Sequence, residues 1–218
     1  MLLSQDPWSG NGSQKVNMMM SKNIDGSANT RTPIQSEALL GASVTDVLAR
    51  LKSVARSLHK QVSKKAPLAV ARMRAVPGFA PSSDTEIAGE TKRRHCLSVV
   101  AMELGFRGWA QLAHVLEDGE EGADFGTILC PKRMMVHQNI WVANYLEAQQ
   151  IRREHGGFLL PYKKQFFIAD GDFLLDLGLD PEAEDWERMG RDWVTPNDPN
   201  VRARFYARLF AERLPGQK

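Results

Sequence analysis

Apolar residues recur at three- and four-residue steps through Val44, Val47, Leu48, Leu51, Val54, Ala55, Leu58 and Val62, which draws one buried face along a helix over 44–62. Ser43 followed by Asp46 makes a capping-box start, with the shorter Asp in place of Glu. Lys52, Arg56 and Lys60 lie four apart on another face of the same helix. Pro67 suits the first turn of a short second helix that stops before Pro77-Gly78. Asp84 or Thr85 caps a third helix expected through Leu104, ended by Gly105, and a fourth runs from Trp109 to Leu116. The acidic, glycine-containing run at 117–124 then breaks the pattern.

Beyond it, Phe125 to Cys130 is a short apolar stretch closed by Pro131, and a helix is predicted from Met135 to Glu154, ended by Gly156-Gly157. Residues 158–169 alternate as two short strands about a Pro-Tyr-Lys-Lys turn. A short helix follows from Asp172 to Leu177, then a segment bearing Trp186 and Trp193. A last helix, capped by Asp198 with Pro199 in its first turn, continues to Leu214. Residues 1–36, rich in Ser, Asn, Gly and Gln, read as a disordered leader, and Met18-Met19-Met20 leaves the true start codon open. The expected fold is mainly α. A four-helix front module spans 43–117 and an acidic linker 118–124. A small α+β back module, with a short two-stranded hairpin, covers 125–214.

Two segments of the front half carry a family resemblance. LKSVARSLHK at 51–60, followed by CLSVVAMELGFRGWAQL at 96–112, resembles the small helical domain called glyoxalase-related, over residues 44–117. Leu104, Gly105, Phe106 and Trp109 match the Leu-Gly-Phe-x-x-Trp end of that domain's later helix. The resemblance implies a helical module and no catalytic residue. On physical grounds Gly105 stops one helix, and Phe106 and Trp109 are expected to fill the corner with the next.

Hydrophobic content of 43% and charged content of 25% are ordinary globular values. No apolar run approaches the roughly 20 residues of a membrane helix, and the first residues lack a signal-peptide pattern, so a cytoplasmic protein is expected. Cys96 and Cys130 have no metal-like spacing; free buried thiols are the first expectation, with one disulfide still open. The net charge of +2 hides an asymmetry: residues 1–116 hold 15 Lys and Arg against 8 Asp and Glu, and residues 117–218 hold 13 against 18. The basic half either meets an anionic partner or faces its own acidic half.

Those charges set the candidate chemistry. Lys52, Arg56, Lys60, Arg93, Arg94 and Arg107 are the candidate contacts to nucleic acid or another anion, since backbone binding needs only several cations on one surface. A degenerate helix-turn-helix at 97–116 is an alternative, weakened because Gln111 is its one groove-reading residue. Arg188, Arg191, Arg204 and Arg208 are candidates for a protein interface or self-association, with Trp186, Trp193 and Phe205 as core beside them. Asp170 and Asp172, near Asp176 and Asp180, raise a second alternative, a Mg²⁺-dependent enzyme, although no phosphate loop accompanies them and both also suit helix capping. The histidines are scattered, and nothing marks Cys130 as activated. The sequence therefore points to a regulatory or adaptor protein that binds an anionic or protein partner without catalysis, cofactor or metal.

Overall fold

A computed structural model describes residues 42–214; the leader expected over 1–36 lies outside the described residues. Helix α1 (Val44–Ser63) starts on the predicted box: Asp46 N donates to Ser43 Oγ at 3.3 Å, and Ser43 N donates to Asp46 Oδ2 at 3.0 Å. Its buried residues are Val47, Leu48, Leu51, Ala55, Leu58 and Val62, the stripe that the periodicity draws. Helix α2 (Pro67–Met73) opens on its proline.

The third expected helix is two. α3 (Asp84–Glu90) has its own Ser83–Glu86 capping box, and α4 (Arg93–Glu103) restarts after an extended Thr91. Thr91 is buried, and its hydroxyl donates to the Ile87 carbonyl at 2.6 Å. Its own carbonyl meets His59 Nε2 of α1 at 3.1 Å. That tertiary partner holds a bend where the apolar periodicity suggests continuity. α4 ends at Gly105, whose φ of +88° is left-handed as expected, and α5 (Trp109–Asp118) follows.

The second half is the small α+β part. A 3₁₀ turn (Lys132–Val136) leads to β1 (Ile140–Val142), α6 (Tyr145–His155), β2 (Phe158–Tyr162) and β3 (Gln165–Ala169). The hairpin lies where predicted, but its turn is only Lys163-Lys164, with Pro161 and Tyr162 paired in β2, and β1 adds beside β3 in an antiparallel sheet ordered β1-β3-β2. The helix expected from Met135 thus begins only at Tyr145, where Asn144 caps it. Residues 140–142 become strand instead because Trp141 stacks on Phe167 of β3, ring centroids 4.8 Å apart, and the β3 edge offers them hydrogen bonds. α7 (Gly171–Leu177) is capped by Asp170, α8 (Glu184–Met189) is short, and α9 (Pro199–Arg213) ends the described chain.

The hairpin tip ties the two halves together. Lys163 takes a left-handed φ of +54°, rare for a side-chain-bearing residue. Its N–H donates to the Gly126 carbonyl at 2.8 Å, and its carbonyl accepts from Phe125 N at 2.9 Å. One residue on, Thr127 N donates to the Gly105 carbonyl at 2.9 Å. A continuous ladder therefore joins the β2–β3 turn to the α4–α5 corner. α1 also packs on α9, and both halves belong to one compact unit. Trp186, Trp193, Phe205 and Tyr206 form the aromatic centre, with Trp186 and Phe205 stacked at 4.4 Å.

Candidate functional site

Lys52, Arg56 and Lys60 project from the face of α1 away from its buried stripe, and all three are exposed. Among the described residues none of the three has an ion-pair partner. α9 approaches α1 along Val47 and Leu51, through Ala207 and Phe210. By helical geometry that is the flank turned away from Lys52, Arg56 and Lys60. The His59–Thr91 contact sets the start of α4 against the cationic flank, so exposed Lys92 and Arg93 continue the surface. Two other cations of the front half are committed: Arg72 is forked onto Glu103 with both bonds at 2.7 Å, and Arg74 pairs with Asp84 at 2.7 Å.

Arg94 and Arg107 sit at a different feature. Arg94, Leu97 and Ser98 of α4 and Arg107, Gly108 and Trp109 at the start of α5 line an open groove of about 520 Å³. Arg107 is 79% exposed and pairs with Asp124 at 3.2 Å. Phe106 is buried, as its place at the helix corner suggests. Trp109 packs against the core as expected, though it is only partly buried where Phe106 is fully so. Gln111, the groove-reading residue of the helix-turn-helix alternative, is occupied at both ends. Its Oε1 accepts from Arg107 N at 2.6 Å, and its Nε2 donates to the Asp124 carbonyl at 2.7 Å.

Three of the back-half arginines are paired with carboxylates, Arg188 and Arg191 on the surface and Arg204 largely covered. Arg188 bridges Asp185 (3.5 Å) and Asp198 (2.8 Å), Arg191 pairs with Glu187 at 2.6 Å, and Arg204 is forked onto Asp185. Arg208 is exposed. Trp186, Trp193 and Phe205 are buried, as predicted beside them. Exposed apolar side chains gather in sequence around β1 instead: Val136 (82%), Ile140 (46%), Trp141 (40%) and Leu146 (67%). β1 is an edge of the sheet, while the other edge, β2, is shielded by backbone bonds from Leu159 to Arg191 and Trp193.

The candidate acids and thiols have structural partners. Asp170 caps α7 through Phe173 N at 2.8 Å, Asp176 takes His137 Nε2 at 3.0 Å, and Asp180 accepts from Glu182 N at 3.0 Å. Asp172 is exposed in the first turn of α7. Among the described residues no three His, Cys, Asp or Glu side chains converge as a metal site. Cys96 and Cys130 are free and buried, and burial pushes both thiols up, Cys96 from 9.0 to about 11. That is the reverse of nucleophile activation.

One polar centre escaped the sequence. Arg202 is buried, and its Nη1 donates to the carbonyls of Gly119 (2.6 Å), Val194 (3.0 Å) and Trp193 (3.2 Å). Its only sequence signal is position: Val201, Ala203, Phe205 and Tyr206, all buried, surround it in α9. No family model matches the chain, and no curated protein or solved structure is significantly similar to it.

Proposed function

We propose that the protein is a non-enzymatic regulatory or adaptor protein whose front half binds an anionic partner, with the nucleic-acid backbone as the ligand of choice. The observation that carries this reading is the exposed, unpaired Lys52–Arg56–Lys60 row, extended by Arg93. Had the acidic half neutralised the basic half, those cations would sit within ion-pair distance of carboxylates. Among the described residues they do not, so their charge is open to a partner. The likeness of residues 44–117 to the glyoxalase-related domain, which brings no catalytic residue, agrees with a binding role. The hydrogen-bond commitments of Gln111, Asp170 and Asp176 lend less support to the groove-reading and Mg²⁺-enzyme alternatives. A cytoplasmic setting suits the two free thiols. No helix of the described residues is long and apolar enough to cross a membrane.

The experiment is a salt titration of binding to labelled nucleic acid, for the full chain and for a Lys52→Glu, Arg56→Glu, Lys60→Glu variant. The slope of log affinity against log salt is expected to fall by roughly 0.9 per lost duplex phosphate contact. An unchanged slope with an unchanged melting curve would leave the row a merely solvated face and sink the proposal.

A second reading, self-association, draws on the apolar strand edge at β1. Ile140, Trp141 and Val142 carry no charge, so two copies can pair their β1 strands antiparallel about a two-fold axis without repulsion. Light scattering across a concentration series tests it: Trp141→Lys should return any dimer to monomer, and a wild type monomeric throughout refutes it.

A further inference from the structure

We propose that the groove between α4 and α5 is a base-stacking subsite for single-stranded nucleic acid; this rests on the anionic-partner reading and adds where a base goes. Trp109 packs against the core, remains partly exposed and lines the concavity. A partly exposed indole held in place by packing is a platform on which an unpaired base stacks. Arg94 reaches the same concavity from α4, and Arg107, paired with Asp124 at 3.2 Å, from the other wall; no carboxylate lines the groove itself. Gly108 supplies no side-chain cap, so the first N–H groups of α5, a ten-residue helix, add positive potential at the groove floor. Leu97 closes the apolar wall, and the Ser98 hydroxyl is turned onto the Arg94 carbonyl at 3.1 Å.

Size and surroundings choose the ligand. A volume of about 520 Å³ falls within the roughly 300–1,000 Å³ of small-ligand sites, enough for one nucleotide. A mononucleotide, however, would leave the cations beyond the groove unused. Arg94 adjoins Lys92 and Arg93, and these adjoin α1 with Lys52, Arg56 and Lys60, so the cations lead away from the groove as a track for a polyanion. A duplex offers base edges rather than faces, and the exposed residues of α5, Ala110, His114, Glu117 and Asp118, include no Lys or Arg to read them. A single strand presents both a free base face and a phosphate chain.

The test uses the full chain, a fluorescein-labelled deoxythymidine 20-mer, and the same strand annealed to its complement, read by anisotropy. The single strand is expected to bind more tightly than the duplex. Trp109→Ala should weaken the single strand about tenfold, within the effect of losing one stacked base, and leave both the duplex affinity and the salt slope unchanged. Trp109→Phe, which keeps a ring, should retain most of the affinity. Arg94→Glu should reduce affinity and slope together. Because Trp109 also touches the core, thermal melts accompany each variant. If Trp109→Ala fails to fold, Ser98→Glu, which places a charge in the groove from a partly exposed site, carries the test with the same tenfold expectation. Full single-strand affinity in folded Trp109→Ala, or in folded Ser98→Glu, overturns the subsite. If the Lys52/Arg56/Lys60 variant still loses binding in that case, the broader reading stands without it. No binding of either probe by the wild type overturns both.

Discussion

The Arg202 guanidinium donates through Nη1 to the Gly119 carbonyl at 2.6 Å, joining α9 to the acidic run that leaves α5, 83 positions earlier. The same nitrogen reaches the carbonyls of Trp193 and Val194, so one buried side chain satisfies backbone acceptors of two segments. Burial pulls its pKa down, with Tyr206 and Asp192 opposing that shift. Arg202→Met keeps much of the aliphatic stem but strands those acceptors. Leaving a buried polar group unpaired costs about 1–3 kcal/mol, so a loss of about 3 kcal/mol is expected in urea unfolding. Unchanged stability would mean that water serves the carbonyls instead.

The Gly105 corner makes a second, paired prediction. At φ +88° an added Cβ would stand 2.6 Å from Thr127 Oγ1 and 3.1 Å from Ile128 N, both on the segment that hydrogen-bonds back to Gly105. Gly78 has a similar φ of +95° but nothing within 4 Å. Gly78→Ala should therefore pay backbone strain alone, about 1 kcal/mol, and Gly105→Ala strain plus collision, about 3 kcal/mol. Equal losses in thermal melts would show that the corner relaxes freely.

Alkaline pH should unfold the protein through its buried acids. Burial raises the folded pKa of Cys96 to about 11, and burial with the Asp192 hydrogen bond raises that of Tyr145. A raised folded pKa stabilises fully below the unfolded value and is lost as pH climbs through the folded one. Stability should hold to about pH 9 and then fall, and Cys96→Ala should flatten the first part of the decline. In the native state neither thiol should react with a thiol reagent at pH 8, and both should react in denaturant.

Asp192 gathers a buried hydrogen-bond set. Its Oδ2 accepts from Tyr145 Oη at 2.6 Å and Gln149 Nε2 at 3.2 Å, and its Oδ1 accepts from Val194 N at 2.9 Å and Thr195 N at 3.2 Å. Asp192→Asn turns one acceptor into a donor facing donors, for an expected loss of about 2–3 kcal/mol, against about 1 kcal/mol for Tyr145→Phe. Guanidinium melts of both variants check the order, and a larger loss in Tyr145→Phe would contradict it.

What the chain determines alone is whatever a residue decides with neighbours one turn away. The Ser43 box, the α1 stripe, the Pro199 start of α9 and the left-handed Gly105 follow from capping, periodicity and backbone freedom within a few residues. The hairpin at 158–169 is equally local, its register running from Phe158–Ala169 to Tyr162–Gln165. Partners far along the chain decided the rest. The break at Thr91 depends on His59, and the strand at 140–142 exists because β3 offers an edge and Phe167 a ring to Trp141. Arg188, Arg191 and Arg204 are committed to ion pairs because carboxylates of α8 and the α9 cap meet them. The partial exposure of Trp109 likewise depends on where α4 ends relative to α5. Spacing tells which face of a helix a residue occupies; which neighbour covers that face, or leaves it bare for a ligand, is set only when distant segments pack.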